Sequence, residues 1–119
     1  MEQAYGTTRW VLLTRNYAIK LPTLIDWRLF LLGLLANMNE RFFYLSFQKG
    51  SPELAQRLCP IVFSAPGGWL VVMRRAQPLD RDDFELCAQI NWKYIPVERK
   101  PDSFGWFEGR IVAIDYGNS

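Results

Sequence analysis

The longest apolar segment of the sequence is WRLFLLGLLANMNERFFYLSF, residues Trp27 to Phe47. Its uncharged part, Leu29 to Asn39, falls well short of the roughly 20 apolar residues that a membrane-spanning helix needs. The sequence Thr23-x-x-Asp26 just before it is typical of a helix N-terminus. The segment therefore predicts a long buried or amphipathic helix that reaches to about Tyr44 and against which the rest of a small domain folds.

One pair of β-prone runs precedes this helix in the sequence and two pairs follow it. Residues that favour a turn join the two runs of each pair. The joining residues are Thr-Arg-Asn in the first pair, Pro-Gly-Gly in the second and Glu-Gly in the third. Glycine supplies the positive φ that such turns often need. These patterns predict three hairpins: Arg9–Leu13 with Tyr17–Leu21, Pro60–Ala65 with Gly68–Met73, and Ser103–Phe107 with Arg110–Asp115.

Two further segments favour helix. The turn-forming residues Gly50-Ser51-Pro52 open a short helical turn through Arg57, and the acids in QPLDRDDFELCAQI predict a helix that begins near Asp80 to Asp82. The element order is then ββ-α-ββ-α-ββ. This order predicts an α+β fold with a small, mostly antiparallel sheet and a long helix packed on it. A chain of 119 residues is expected to form a single domain, 1–119.

Composition excludes several classes of function. The sequence has no histidine, which removes Ser-His and Cys-His nucleophiles and histidine-based metal sites. Its formal charge of +2 is near neutral and its basic residues are scattered, so the footprint of a nucleic-acid-binding protein is missing. Cys59 and Cys87 stand apart among apolar residues, which is typical of buried free thiols. The segment MEQAYGTTRW does not resemble a signal peptide, and we expect a cytoplasmic protein.

Two charged positions around the long helix have the spacing of a known family. The run YAIKLP resembles the strand of protein kinases that carries the phosphate-binding lysine, which assigns that role to Lys20. In kinases, the helix after this strand carries a glutamate that pairs with the lysine. Glu40 lies at a suitable distance along the sequence to be that partner. The resemblance therefore implies that Lys20 and Glu40 hold the phosphates of a nucleotide, if one binds.

The match at the end of the sequence has internal spacing. The run PVERKPDS, residues 96–103, aligns without a gap with the kinase catalytic loop, and a hairpin and Asp-Tyr-Gly then follow in place of Asp-Phe-Gly. The resemblance implies that Glu98 stands at the catalytic aspartate and Lys100 at the loop lysine. It also implies that Asp115 binds magnesium, with Ser103 in place of the asparagine that holds a second metal ion.

The sequence also departs from this family. Glu98 lengthens the reach of the catalytic carboxylate by about one methylene, and no G-x-G-x-x-G lies before Lys20 to cover phosphates. Only two residues follow Asp-Tyr-Gly, so the activation segment and most of the helical lobe are expected to be missing. We therefore expect a reduced, pseudokinase-like fold: a kinase N-lobe-like part plus the catalytic-loop hairpin, with a degenerate site. The sequence additionally resembles small uncharacterised phage or prophage proteins of Gram-negative bacteria.

A kinase-like protein without catalysis acts by binding. The two resemblances imply a cytoplasmic protein of a bacterial host cell that contacts a host or phage protein and uses no cofactor, and the composition predicts binding to neither nucleic acid nor membrane. Trp and Arg are enriched at interface hot spots. The alternative for each tryptophan is that its side chain fills the core. Self-association through the sheet or the long helix is a further alternative. The alternative function is a small phosphotransferase or nucleotide-binding protein that uses ATP and Mg. The candidate contact residues are Trp69, Arg74, Arg75, Trp106 and Phe107.

Overall fold

The computed structural model describes residues 8–93, 95 and 97–116 together with the backbone of Glu2–Tyr5. Two pieces of the predicted motifs lie outside the described residues: Pro96 of the catalytic-loop match, and Gly117 of Asp-Tyr-Gly with the two residues after it. The described chain has an α+β architecture with a long helix and two antiparallel sheets. No helix in this part of the chain is both long and apolar enough to cross a bilayer.

The strands of the larger sheet are β1 (Glu2–Tyr5), β2 (Arg9–Leu13), β3 (Tyr17–Pro22), β4 (Ile61–Ser64) and β5 (Val71–Arg74). Their order across the sheet is β1-β2-β3-β5-β4. All neighbouring strands are antiparallel, and two of the predicted hairpins are confirmed as β2-β3 and β4-β5. The sequence did not predict β1, because its four residues show little apolar alternation and are held at the sheet edge by backbone hydrogen bonds.

The long helix α1, Trp27–Gly50, packs on β2 and β3. It begins at Asp26, whose carboxylate accepts hydrogen bonds from two backbone N–H groups of the first turn at 2.8 and 3.2 Å. Gly33 sets how closely the helix approaches the sheet. A Cβ there would lie 2.3 Å from the Thr8 carbonyl oxygen and 2.9 Å from Pro22. The missing side chain therefore lets α1 rest directly on the backbone of the sheet.

The helix is longer than the sequence predicted. It continues past Tyr44 because Phe47 is partly buried and packs near Phe43, with ring centroids 6.4 Å apart. The predicted short helical turn follows as α2, Pro52–Ala55. Its first residue is a proline, which lacks the N–H that a continuing helix would need.

The remaining elements are β6 (Gln77–Pro78), α3 (Arg81–Ala88), β7 (Phe104–Phe107) and β8 (Arg110–Ala113). The three strands form the smaller sheet, in the order β6-β7-β8. The structure thus divides the predicted antiparallel strands between two sheets. The sequence did not predict β6, because this strand has only two residues and one of them is a proline.

The helix α3 lies between β6 and β7 and confirms the predicted second helix. Its N-cap residue Asp80 and its third residue Asp83 each accept a hydrogen bond from the other's backbone N–H group.

The main cluster of buried apolar side chains lies around the smaller sheet and reaches the larger one through Met73 of β5. Trp92 packs on Phe104 with ring centroids 4.7 Å apart. Tyr116, just after β8, is fully buried, and its hydroxyl donates to the Cys59 carbonyl oxygen at 3.0 Å. The core therefore fixes the segment that follows β8.

Candidate functional site

Lys20 on β3 and Glu40 on α1 form a buried ion pair. The Nζ atom of Lys20 donates to both carboxylate oxygens of Glu40, at 3.0 and 2.9 Å. The two side chains are 5% and 0% exposed. Strand alternation explains this position, because Ala18, Lys20 and Pro22 all lie on the buried face of β3. The contact that the kinase resemblance implies is present, while its role toward a nucleotide remains a prediction.

Arg9 on β2 is a second cation on the same carboxylate. Its Nη1 donates to Glu40 Oε1 at 2.7 Å and its Nη2 to Oε2 at 3.1 Å, a bidentate geometry that is strong for arginine. Nη1 also donates to the Asn37 side-chain oxygen at 3.1 Å. The Asn37 amide in turn donates to the carbonyl oxygens of Lys20 at 3.2 Å and Gly68 at 2.8 Å. Asn37 therefore joins α1 to β3 and to the turn before β5.

The segment after β8 closes this group of side chains. Asp115 Oδ1 accepts a hydrogen bond from Arg9 Nη2 at 2.5 Å. The backbone N–H of Tyr116 donates to the carboxylate on α1 at 3.1 Å, and Lys20 Nζ donates to the Ile114 carbonyl oxygen. Four separate segments of the chain thus meet at one point. We call Arg9, Lys20, Asn37, Glu40 and Asp115 the charge cluster.

The charges in the charge cluster balance, with two cations and two carboxylates. Burial by itself would raise the pKa of Glu40, but the charges of Lys20 and Arg9 outweigh it and hold that pKa at about 2, against an ordinary value of 4.5. Burial lowers the pKa of Lys20, and attraction to Glu40 opposes this effect. The buried carboxylate is therefore ionised and fully partnered, which is what makes its burial tolerable.

The geometry of the charge cluster suits a structural tie. A lysine ammonium has three N–H donors, and those of Lys20 face the two oxygens of Glu40 and the carbonyl oxygen of Ile114. A phosphate would have to replace one of these contacts. Across the described ranges, no three His, Cys, Asp or Glu side chains are grouped so that they could hold a metal ion. The observed contacts of the charge cluster join β2, β3, α1 and the segment after β8.

The kinase resemblance rests on residue types and their spacing. None of the protein families, curated proteins or solved structures compared with this chain matches it. The kinase-like and phage-like origins therefore remain predictions, and function is argued from geometry. The pairing of Lys20 with Glu40 agrees with the kinase pattern, but a buried Lys–Glu pair also occurs in unrelated folds.

The residues matched to the catalytic loop lie in different environments. Glu98 and Lys100 contact each other at 3.5 Å on the surface, with side chains 65% and 48% exposed. Ser103 is fully buried, and its hydroxyl has no hydrogen-bond partner among the described residues. The Ser103 carbonyl oxygen accepts from the Ile114 N–H at 2.8 Å, which joins the loop to the segment after β8. The proposed roles of Glu98 as base and Ser103 as metal ligand remain predictions.

Trp69 is the most exposed of the predicted contact residues, at 56%. Its ring lies edge-on to Phe30 of α1, with centroids 5.2 Å apart. Trp27, also exposed, stacks on the same Phe30, with ring centroids 5.5 Å apart. Sequence reasoning did not single out Trp27, although its place directly after a helix cap is typical of an exposed first turn. We call Trp27, Phe30 and Trp69 the aromatic corner.

Phe107, one of the predicted contact residues on the last hairpin, is buried. Its side chain is only 8% exposed and belongs to the core. Trp106 is partly buried and packs against the same core. Strand alternation normally sends neighbouring residues to opposite faces, but β7 is covered enough to shield both rings. This hairpin is therefore a poor site for a partner.

Arg74, the last residue of β5, and Arg75, which follows it, have partners within the chain. The Arg74 guanidinium lies over the rings of Tyr17 and Phe107, 5.8 and 5.4 Å from their centroids. Arg75 donates to the Thr14 carbonyl oxygen at 2.9 Å. The Arg74 side chain thus contacts both sheets, whereas Arg75 bonds to the turn between β2 and β3. Their availability to a second protein is correspondingly reduced.

Sequence reasoning missed Arg9, although a signal for it existed. In the β2-β3 ladder, Lys20 lies opposite Val11, and Pro22 lies opposite Arg9. Directly opposed residues share one face of a sheet, and so do residues two apart on a strand. Arg9 and Lys20 are therefore diagonal neighbours on the face that α1 covers. A register that pairs Leu13 with Ala18 is therefore what places Arg9 beside Lys20, whereas pairing Leu13 with Tyr17 would have turned Arg9 to the other face.

Both cysteines are buried free thiols, as the sequence predicted. Burial raises the pKa of Cys59 to about 12, and its Sγ lies 3.0 Å from the Arg74 carbonyl oxygen to which it donates. Burial also raises the pKa of Cys87. Neither thiol is therefore suited to act as a thiolate nucleophile at neutral pH.

Proposed function

We propose that the protein is a kinase-like binding protein that contacts another protein and does not transfer phosphate. The observation that carries this proposal is the closed charge cluster. In a working phosphotransferase, the strand lysine and a metal-binding aspartate act on phosphate and Mg²⁺. Here the corresponding residues, Lys20 and Asp115, bond to groups of the same chain.

The contacts of Asp115 argue against magnesium at this position. Its Oδ1 atom lies 2.5 Å from Arg9 Nη2. A Mg²⁺ ion on that oxygen would sit next to a guanidinium, and like charges at such distances repel strongly outside bulk water. Binding to that oxygen would thus require Arg9 Nη2 to leave Asp115, and the same nitrogen also donates to Glu40 Oε2 at 3.1 Å. Disturbing that contact would weaken the pairing of a buried carboxylate, which is costly.

The surface supports binding to a protein. The aromatic corner presents two exposed tryptophan rings, Trp27 and Trp69, held in place by Phe30 between them. Tryptophan supplies a large, rigid contact area and is enriched at interface hot spots. The resemblance to phage or prophage proteins favours a host or phage factor in the bacterial cell as the partner.

The rival function is an ATP- and Mg-dependent phosphotransferase or nucleotide-binding protein. The pairing of Lys20 with Glu40 favours it, because active kinases require the same pair. Titration calorimetry of Mg-ATP against the wild-type protein separates the two functions. We expect no saturable binding below about millimolar concentration, the weak end of specific affinities.

Substitution variants control this titration. Lys20→Met removes the ammonium group and leaves the buried Glu40 carboxylate with Arg9 as its remaining cationic partner. The second variant is therefore Lys20→Met/Glu40→Gln, in which both members of the Lys20–Glu40 pair are neutral. Circular dichroism verifies that each is folded. Saturable Mg-ATP binding by the wild type that both variants lose would refute the proposal and establish the rival.

A partner is sought by affinity capture from a bacterial lysate. We expect a reproducible protein that Trp69→Ala reduces, because the exposed ring is lost while the core is unchanged. The matched control is Leu86→Ala, which truncates another exposed apolar side chain on α3. Capture that both variants lower equally would show that the aromatic corner is not the contact.

A further inference from the structure

The side of α1 that faces away from the sheet is apolar. The inner side contains the helix residues that are buried, among them Gly33, Asn37 and Glu40. On the opposite side, five large apolar residues are 40% to 64% exposed. We call these five residues, Leu31, Leu35, Met38, Phe42 and Leu45, the outer stripe.

The outer stripe has the spacing of a helix-pairing seam. Its members follow one another at intervals of four, three, four and three positions, which is the a and d pattern of a heptad repeat. A period of 3.5 residues keeps such a stripe on one side of a helix that pairs with another helix. The stripe extends about 21 Å along the axis, at 1.5 Å per residue. A second helix of about four turns would cover it.

The exposed charged side chains that α1 itself places at the outer stripe have one sign. The a positions at its two ends are Arg28 and Lys49, and Arg41 stands beside it at a g position; all three are exposed. Within α1 the sole acidic residue is Glu40, which is buried and paired inside the charge cluster. The outer surface of this helix is therefore an apolar stripe with a cationic border.

The cationic border disfavours a second copy of this chain as the occupant. In a parallel pair of α1 helices, Arg28 would meet Arg28 and Lys49 would meet Lys49. In an antiparallel pair, Arg28 of one copy would approach Lys49 of the other. Either orientation places like charges together at both ends of the seam, and such contacts disfavour a pairing.

We propose that the outer stripe docks an amphipathic helix of another protein, whose apolar heptad stripe is bordered by Asp and Glu. The apolar side chains match the spacing of the stripe, and the acids face Arg28, Arg41 and Lys49. This inference rests on the proposed function in protein binding and adds the structural class and charge of the partner. The outer stripe begins one helical turn after Trp27, so it adjoins the aromatic corner at the start of α1.

A synthetic peptide provides the test. The probe is a dye-labelled three-heptad helix with Leu at a and d and Glu at e and g, and its like charges keep it from pairing with itself at neutral pH. The matched probe has Lys at e and g. Fluorescence anisotropy with the full chain gives Kd for both. We expect the acidic probe to bind about tenfold or more tightly than the basic probe, and increasingly weakly as salt is added.

Two charge-matched variants locate the site. Phe42→Glu places a carboxylate in the outer stripe, and Phe63→Glu places one on β4, at a phenylalanine of similar exposure. We expect Phe42→Glu to raise Kd for the acidic probe by about tenfold or more, and Phe63→Glu to leave it nearly unchanged. If circular dichroism shows that Phe42→Glu is unfolded, Leu35→Gln takes its place with the same expectation.

Several results would overturn the inference. They are equal binding of acidic and basic probes, no saturation by either, or equal effects of the two glutamate variants. A dimer in sedimentation experiments that Phe42→Glu dissolves would assign the outer stripe to a second copy instead. Because the probe assay contains no nucleotide, its failure is distinct from failure of the proposed function, which saturable Mg-ATP binding would reveal.

Discussion

On α1, the face that packs on the sheet carries Asn37 and Glu40, whereas the face that meets solvent carries Leu35, Met38 and Phe42. An ordinary surface helix has the opposite distribution. The inner polar groups are stable because each has partners, and the carboxylate alone bonds to two cations and a backbone N–H. The outer apolar side chains are instead 43% to 64% exposed among the described residues. The inner face therefore serves folding, whereas the outer face meets solvent.

Glu40→Ala should have the largest effect. It would leave Lys20 and Arg9 buried beside one another without the carboxylate, and breaking a buried ion pair costs about 3–5 kcal/mol. We expect the free energy of unfolding, measured by urea denaturation, to fall by about this amount. The neighbouring exposed Arg41→Ala is the control and should change stability little. Equal, small effects of both variants would contradict a distinct inner face.

Acid should destabilise the protein through the same carboxylate. The pKa of Glu40 is about 2 in the folded protein, below its ordinary value of 4.5. The stabilisation is therefore complete above pH 4.5 and is lost as the pH falls toward 2, because the unfolded chain takes up the proton first. The loss amounts to about 3 kcal/mol. Urea denaturation at several pH values checks it, and Glu40→Gln should have a shallower slope in this range.

The smallest effect is expected on the outer face. Leu35→Gln exchanges an exposed apolar side chain for a polar one of similar size, so it should change the free energy of unfolding by no more than about 0.5 kcal/mol. A loss above 2 kcal/mol would mean that the outer stripe is already covered within the folded protein. That result would remove the contrast between the two faces.

The sequence predicted the elements well and their tertiary relations only in part. Apolar runs and turn residues located all three hairpins, and carboxylates located the starts of α1 and α3. The division into two sheets was not predictable in this way, because a two-residue strand such as β6 has no pattern. The length of α1 was underestimated, since Phe47 continues its packed face beyond the predicted end.

The sequence singled out three of the five residues of the charge cluster. Lys20, Glu40 and Asp115 were identified by the spacing of the kinase resemblance, and their roles toward a nucleotide or magnesium remain predictions. Arg9 and Asn37 were missed because their roles depend on strand register and on close packing at Gly33. Exposure was the least predictable property: Phe107 is buried while Trp27 is not, and a residue's type alone does not determine on which side of a strand or helix it lies.

The separation of the clustered residues along the chain affects how the protein is made. Arg9 and Asp115 are 106 positions apart, and Glu40 and Tyr116 are 76 apart. Contacts of such long range form late, since a large loop must close first. If β2, β3 and α1 assemble before residue 115 docks, Arg9 and Lys20 would share the single carboxylate of Glu40. Such an intermediate would carry one positive charge that Asp115 compensates only in the finished fold.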